Sequence, residues 1–269
     1  MEIVAEDDGS GTTRLRRLSS GPPLTARQTL DGVTLVASAG GPLGGDVTDV
    51  VVRVGPGASL AVGSAAAAVV QPSRTGGEAV LRLDVEVAAG GSLRWRPRPT
   101  VVAARASYRA ETTVRLAAGA VLDLCEVTVL GRHAEPLGSA ALRLDVERDG
   151  LPVLRTETAW GPVGWPGSSG PAVLGRARVV GTGLVVGGAP PAQVAPPVQG
   201  ARPAPDAEVF PLADDAWLVT VLAASTVDVE AALAPAGLPP GSADTWTTAR
   251  AARAHLPGAP RKSRADFGR

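Results

Sequence analysis

The chain has 269 residues, 26 basic and 26 acidic, with 45% hydrophobic and 19% charged residues, 33 Gly and 24 Pro. That apolar fraction fills a core and excludes disorder throughout, and glycine plus proline, about a fifth of the chain against about an eighth on average, point to a turn-rich protein. Balanced charge argues against a whole-molecule field for nucleic acid or anionic lipid. One cysteine, Cys125, precludes an internal disulfide, and with two histidines and one methionine no dedicated soft-metal site is expected.

From the N-terminus, Met1 to Asp8 is acidic and weakly apolar, without the cationic start and apolar run of an export signal. We read residues 1–12 as a flexible acidic terminus, the protein as cytoplasmic, and residues 13–260 as one β-rich domain. After the glycine-rich segment Gly40-Gly41-Pro42-Leu43-Gly44-Gly45-Asp46, apolar and polar residues alternate over Val50 to Val54, Leu81 to Val87, Ala110 to Leu116 and Leu142 to Glu147. A period of two sends the two sets to opposite faces of a strand, whereas a helix would scatter them. Glycine-centred turns follow these strands at 57, 90, 119 and 150, in steps of 33, 29 and 31 residues, the mark of a repeating β-unit. Glycine reaches positive φ freely, and Asp149-Gly150 is a hairpin signal. The expected fold is all-β, a β-helix-like stack of hairpins; an antiparallel sandwich with hairpins of similar length is the alternative.

Proline density then marks a loop over about residues 187–207, and Val209 to Val221 reads as a strand pair. Two short helices are expected: Val227 to Leu233, capped at Ser225-Thr226, and Ala243 to His255, with Asp244 at its start and Pro257 beyond its end. Residues 261–269 form a basic, flexible tail. No apolar stretch is long enough for a membrane-spanning helix.

Candidate chemistry centres on Val121 to Leu130, apolar at both parities and so covered on both faces. Its acids, Asp123 and Glu126, then lie inside, where an unpaired carboxylate is strongly disfavoured. Glu126 reads either as an oxygen ligand for a divalent ion in passage or as the partner of an arginine such as Arg132 or Arg105. Asp46, opening a strand after two glycines, either caps its turn or binds; Glu157 is a further acidic candidate. Cys125 reads as a small core residue. In Arg94-Trp95-Arg96-Pro97-Arg98, Trp95 faces away from the arginines, as an interface anchor with Arg96 and Arg98 or as a core residue beneath a charged strand.

Enzyme signatures are mostly missing. Gly181-Thr182-Gly183 has its next glycine at the wrong spacing for a dinucleotide loop, and the single lysine, Lys262, lies in the tail, which excludes a P-loop. A polysaccharide-cleaving β-helix enzyme would carry clustered carboxylates and exposed aromatics, but aromatics make up 3% of the chain.

Four segments in order, Gly40 to Asp46, Trp95-Arg96-Pro97-Arg98-Pro99-Thr100, Leu124 to Arg132 and Leu144 to Gly150, resemble the urease accessory protein D family, also called H in some organisms. The resemblance covers about residues 13 to 160 and continues weakly over Ala231 to Leu238. The chain departs from the family at Gly63 to Val70, where a lysine and a tyrosine are replaced, and at Ala134-Glu135-Pro136. The resemblance implies a β-helix-like fold with two helices and a non-enzymatic chaperone that binds apo-urease and the accessory proteins F and G, G being a GTPase. It implies no tightly bound cofactor, with Ni²⁺ guided in transit to the urease site. On that reading Asp46, Glu126, Asp123 and Glu157 are candidates for the ion path, and Trp95, Arg96 and Arg98 for partner contact. His133 and His255 carry imidazole, which suits nickel, but read as surface residues. The alternatives are a protein-interaction adaptor without a metal role and a glycan-active enzyme.

Overall fold

The computed structural model describes residues 1–30, 32–163, 165–188 and 206–233. In chain order the strands are β1 (Glu2–Asp7), β2 (Thr13–Ser19), β3 (Leu24–Thr29), β4 (Gly32–Ala37), β5 (Val47–Val54), β6 (Ser59–Ser64), β7 (Ala68–Val70), β8 (Ala79–Val87), β9 (Ser92–Arg96), β10 (Thr100–Val102), β11 (Ser107–Leu116), β12 (Val121–Leu130), β13 (Ser139–Arg148), β14 (Leu151–Trp160), β15 (Val179–Val186), β16 (Asp206–Ala213) and β17 (Ala216–Ala223), followed by helix α1 (Thr226–Ala232). One sheet runs β14-β13-β11-β8-β5-β1-β2. The other runs β16-β17-β15-β12-β9-β6-β4-β3, with β10 joining β12 to β7.

The β-helix-like class holds, and its construction is more specific than a stack of hairpins. The strands flanking Gly57, Gly90 and Gly119 do not pair with each other. Each glycine turn is a corner that carries the chain from the first sheet to the second, and each strand pairs in parallel with its counterpart one coil away: β5 with β8, β8 with β11, β11 with β13, and β6 with β9, β9 with β12. The three corner glycines share φ of +66°, +65° and +68°, a left-handed conformation in which a Cβ would clash. Corners also bond to corners, as where the Val121 N–H donates to the Gly91 carbonyl at 2.9 Å and that of Ser92 to Ala58 at 2.8 Å. The fourth turn differs because Asp149 and Gly150 both have positive φ, 51° and 76°, the requirement of a tight hairpin turn. There β13 does fold back antiparallel on β14.

Parallel register stacks like on like. Val52, Val85, Val114 and Val146 form one inward ladder, and Val50, Leu83, Thr112 and Leu144 the next. These ladders meet Leu60, Leu93, Leu122 and Leu124 of the second sheet in the main core. On the outer face the alternation becomes a ladder of opposite charges, with Asp49, Arg82, Glu111, Arg143 and Glu157 in successive strands; such surface pairs contribute little stability each.

The first twelve residues are not the flexible terminus expected. Residues Glu2–Asp7 form β1, paired parallel with β5 and antiparallel with β2, because Ile3 and Ala5 share one face of the strand and are fully buried in the core. The strand pair expected over 209–221 is β16 and β17. The first expected helix is α1, capped by Ser225, whose hydroxyl accepts the Asp228 N–H at 3.3 Å. The second, with His255, Lys262 and the tail, lies outside the described residues, as does most of the proline-rich stretch. Among the described residues no helix is long and apolar enough to cross a membrane.

Candidate functional site

Between the sheets lies a cavity of about 250 Å³ whose wall includes Leu24, Leu35, Leu81, Trp95, Leu142 and Val127. Ser64 to Ala68, Val36, Ala37 and Arg98 also line it. Ala65 to Ala67 are exposed and Val36 is 37% exposed, so this segment forms the mouth. A smaller cavity of about 90 Å³, bounded by Gly41, Pro42 and Thr48, shares Leu24, Ala37, Ala68, Leu81, Thr100 and Tyr108 with the first. The two adjoin along that shared wall.

Among the described residues Glu126 is the one carboxylate lining the larger cavity. Even positions of β12 face inward, so Glu126 shares its face with Leu122, Leu124 and Leu130, in the core between the sheets. Neither Arg132 nor Arg105 reaches it; Arg132 pairs with Glu135. Its Oε1 accepts the hydroxyl of Thr112 at 3.1 Å. Burial pushes the Glu126 carboxyl above its ordinary range, and the Thr112 hydrogen bond only partly offsets this. Tyr108, 5% exposed in the same wall, is also pushed up, first by burial and then by the Glu126 charge.

Odd positions of β12 face outward, and there Asp123 is 1% exposed yet fully engaged. Arg96 grips it with both ends, Nε to Oδ2 at 3.0 Å and Nη2 to Oδ1 at 2.7 Å, and Arg94 Nε lies 3.3 Å from Oδ2. Arg96 Nη1 donates to the Leu233 carbonyl at 2.6 Å, which fastens the C-terminal end of α1 to the sheet. Cys125, on this face, is a core residue whose thiol burial pushes up to about 11. The Gly181-Thr182-Gly183 segment is the seat of α1: a Cβ at Gly181 would sit 2.3 Å from Val229 Cγ1, and one at Gly183 2.9 Å from Leu233 Cδ2.

The other candidates are dispersed. Asp46 Oδ2 accepts the Leu43 N–H at 2.8 Å, closing the glycine loop beside the smaller cavity. Glu157 sits on the outer face of β14, paired with Arg109 at 3.0 Å. Trp95 is 2% exposed and lines the large cavity, so it is packed inside; Arg98, with its side chain 62% exposed, is the surface member of the trio. His133 is exposed in a turn. Among the described residues no group of three or more His, Cys, Asp or Glu converges to hold a metal ion.

Sequence reasoning missed Thr112 and Tyr108. The signal was present: in the inward set of β11, at 108, 110, 112, 114 and 116, Tyr108 and Thr112 are the two polar side chains. A hydroxyl at an inward position of a ladder otherwise built from Val and Leu calls for a partner.

Together these features define a stacked-coil β protein with an acid-bearing cavity between its sheets. The family model described as UreD urease accessory protein matches residues 2–255. Similar curated proteins include a urease accessory protein UreD of Streptomyces avermitilis, 41% identical over 184 residues, 66% of this chain and 73% of the relative. A urease accessory protein UreD of Streptomyces coelicolor is 37% identical over 226 residues, 82% of this chain and 88% of the relative, and one of Parafrankia sp. is 36% identical over 204 residues, 67% and 69%. The chain belongs to the UreD urease accessory protein family. Three of the segments that carried the resemblance reach the cavities: Gly41 and Pro42 of the first line the smaller one, while Trp95, Pro97, Arg98 and Thr100 of the second and Glu126, Val127 and Thr128 of the third contribute wall to the larger.

Proposed function

We propose that this protein is a non-enzymatic urease maturation chaperone that docks on apo-urease and the accessory F and G proteins and passes Ni²⁺ through the cavity between its sheets. The observation that carries the reading is Glu126, a partly buried acid in an otherwise mostly apolar chamber, held among the described residues by one hydroxyl and by no arginine. A carboxyl whose hold on its proton is strengthened by burial can exchange that proton for an arriving divalent cation, and apolar walls offer that cation no second strong ligand. Loose oxygen coordination suits delivery better than storage. Asp46, beside the smaller cavity, is the second oxygen donor of the route; Asp123 and Glu157 are already neutralised by arginines. The exposed rim around Arg98 is the surface offered to a partner, and the cytoplasm is the compartment where such an assembly would form.

Replacing Asp46 and Glu126 with alanine, then measuring nickel per urease active site in cells, tests the route. The expected result is reduced loading at normal levels of both proteins. Unchanged loading would reject the cavity route and leave a docking role alone.

A further inference from the structure

Among the described residues four strands end the two sheets: β2 and β14 in one, β3 and β16 in the other. A free strand edge is a template for another strand, and proteins usually blunt it with charge or proline. Three of these edges are blunted. Strand β2 carries Arg14, Arg16 and Arg17 and no acid, β3 carries Arg27 alone, and β16 carries Asp206, Glu208 and a mid-strand Pro211. Two copies of any of these would meet with like charges or lack a ladder donor.

Strand β14 is different. It is ten residues long, its only proline is Pro152 near its start, and it carries one base and one acid two positions apart, Arg155 and Glu157. Both lie on the outer face, opposite Asp145 and Arg143 of β13. Among the described residues no backbone hydrogen bond reaches positions 151–159 from any segment except β13. Arg155 has no ion pair among the described residues, and Glu157 meets Arg109 through Oε1.

We infer that β14 is a self-docking edge, pairing antiparallel with β14 of a second copy of this chain about a two-fold axis at Thr156. In that register residue 155 of one copy lies opposite residue 157 of the other, so Arg155 faces Glu157 twice, once on each side of the axis. Leu154 falls opposite Thr158, and Thr156 meets itself. Direct cross-strand pairs of opposite charge are favourable and like pairs unfavourable, so this register is self-complementary, whereas the other three edges carry charge of one sign only, with a mid-strand proline in β16. The interface is isologous and closes at two copies. It is independent of the metal route, since it uses neither cavity.

Sedimentation velocity of the full chain across a wide concentration range should show a monomer–dimer equilibrium. Arg155→Glu alone sets Glu against Glu, and Glu157→Arg alone sets Arg against Arg; each should weaken dimerisation about tenfold or more. Mixing the two variants restores both opposite-charge pairs in a heterodimer, which should form with near wild-type affinity. Thr156→Pro places a proline ring at the axis of the paired strands and should abolish the dimer. Unchanged circular dichroism guards against misfolding, and the charge variants, being at exposed positions, keep the test sound if the proline variant fails to fold. A chain monomeric at every concentration, or a dimer indifferent to these changes, or a mixture without heterodimer, overturns the inference.

Discussion

Asp123 and Glu126 stand three residues apart on β12 and have opposite fates. On the outward face Asp123 is neutralised by Arg94 and Arg96 and helps fasten α1. On the inward face Glu126 has, among the described residues, one neutral partner, Thr112, and an open chamber. An odd spacing on a strand puts two identical functional groups on opposite faces, and the neighbours that arrive from elsewhere decide whether a buried acid is structural or available. The outer region is closed and charge-balanced, whereas the inner one keeps an acid without a counter-ion.

The sharpest way to break this contrast is Asp123→Ala. It leaves two partly buried guanidinium groups without their shared anion and frees the Leu233 carbonyl clamp, and should cost about 3 kcal/mol, read by chemical denaturation. A loss below about 1 kcal/mol would mean that Asp123 is no more structural than Glu126. Next in size is Gly181→Val, which drives a side chain into Val229 and Leu233 where α1 rests. Overpacking there should cost about 1–3 kcal/mol and release α1, seen as faster amide exchange over residues 226–233 while the coil strands keep their protection.

The smallest effect carries the clearest sign. The Glu126 carboxyl has a folded pKa raised above its unfolded value, so the folded state holds the proton where the unfolded state has lost it. Its contribution to stability is full below the unfolded value and is lost as pH rises toward the folded one. Glu126→Gln removes this slope and keeps an acceptor for Thr112. The variant should melt at the wild-type temperature near pH 4 and above it near pH 8. Equal melting temperatures at both would mean that Glu126 is already solvated or paired.

Much of this was legible beforehand, and for local reasons. Alternation at Leu81 to Val87 fixed which residues turn inward, glycines at 57, 90 and 119 marked regularly spaced turns, and Ser225 ahead of Asp228 marked a helix start. The prominence of Glu126 also followed locally, from an apolar pattern at both parities. What misled was also local: a glycine turn between two strands looks like a hairpin unless the number of positive-φ residues is known, and an acidic opening looks mobile until a neighbouring strand offers it a ladder. Local sequence offers Arg96 to a partner outside the molecule, whereas it closes with Arg94 on Asp123, 27 residues further along from Arg96.

The sequence by itself therefore determined the faces of the strands, the positions of the corners and the identity of the buried acids, because side-chain parity and backbone φ preferences are properties of a residue and its immediate neighbours. Only the tertiary structure decided which coil lies on which, and so which buried acid meets two arginines and which meets a single hydroxyl. Parallel stacking joins residues about thirty positions apart, and no local preference encodes the partner; that choice is made by the collective fit of the inward ladders.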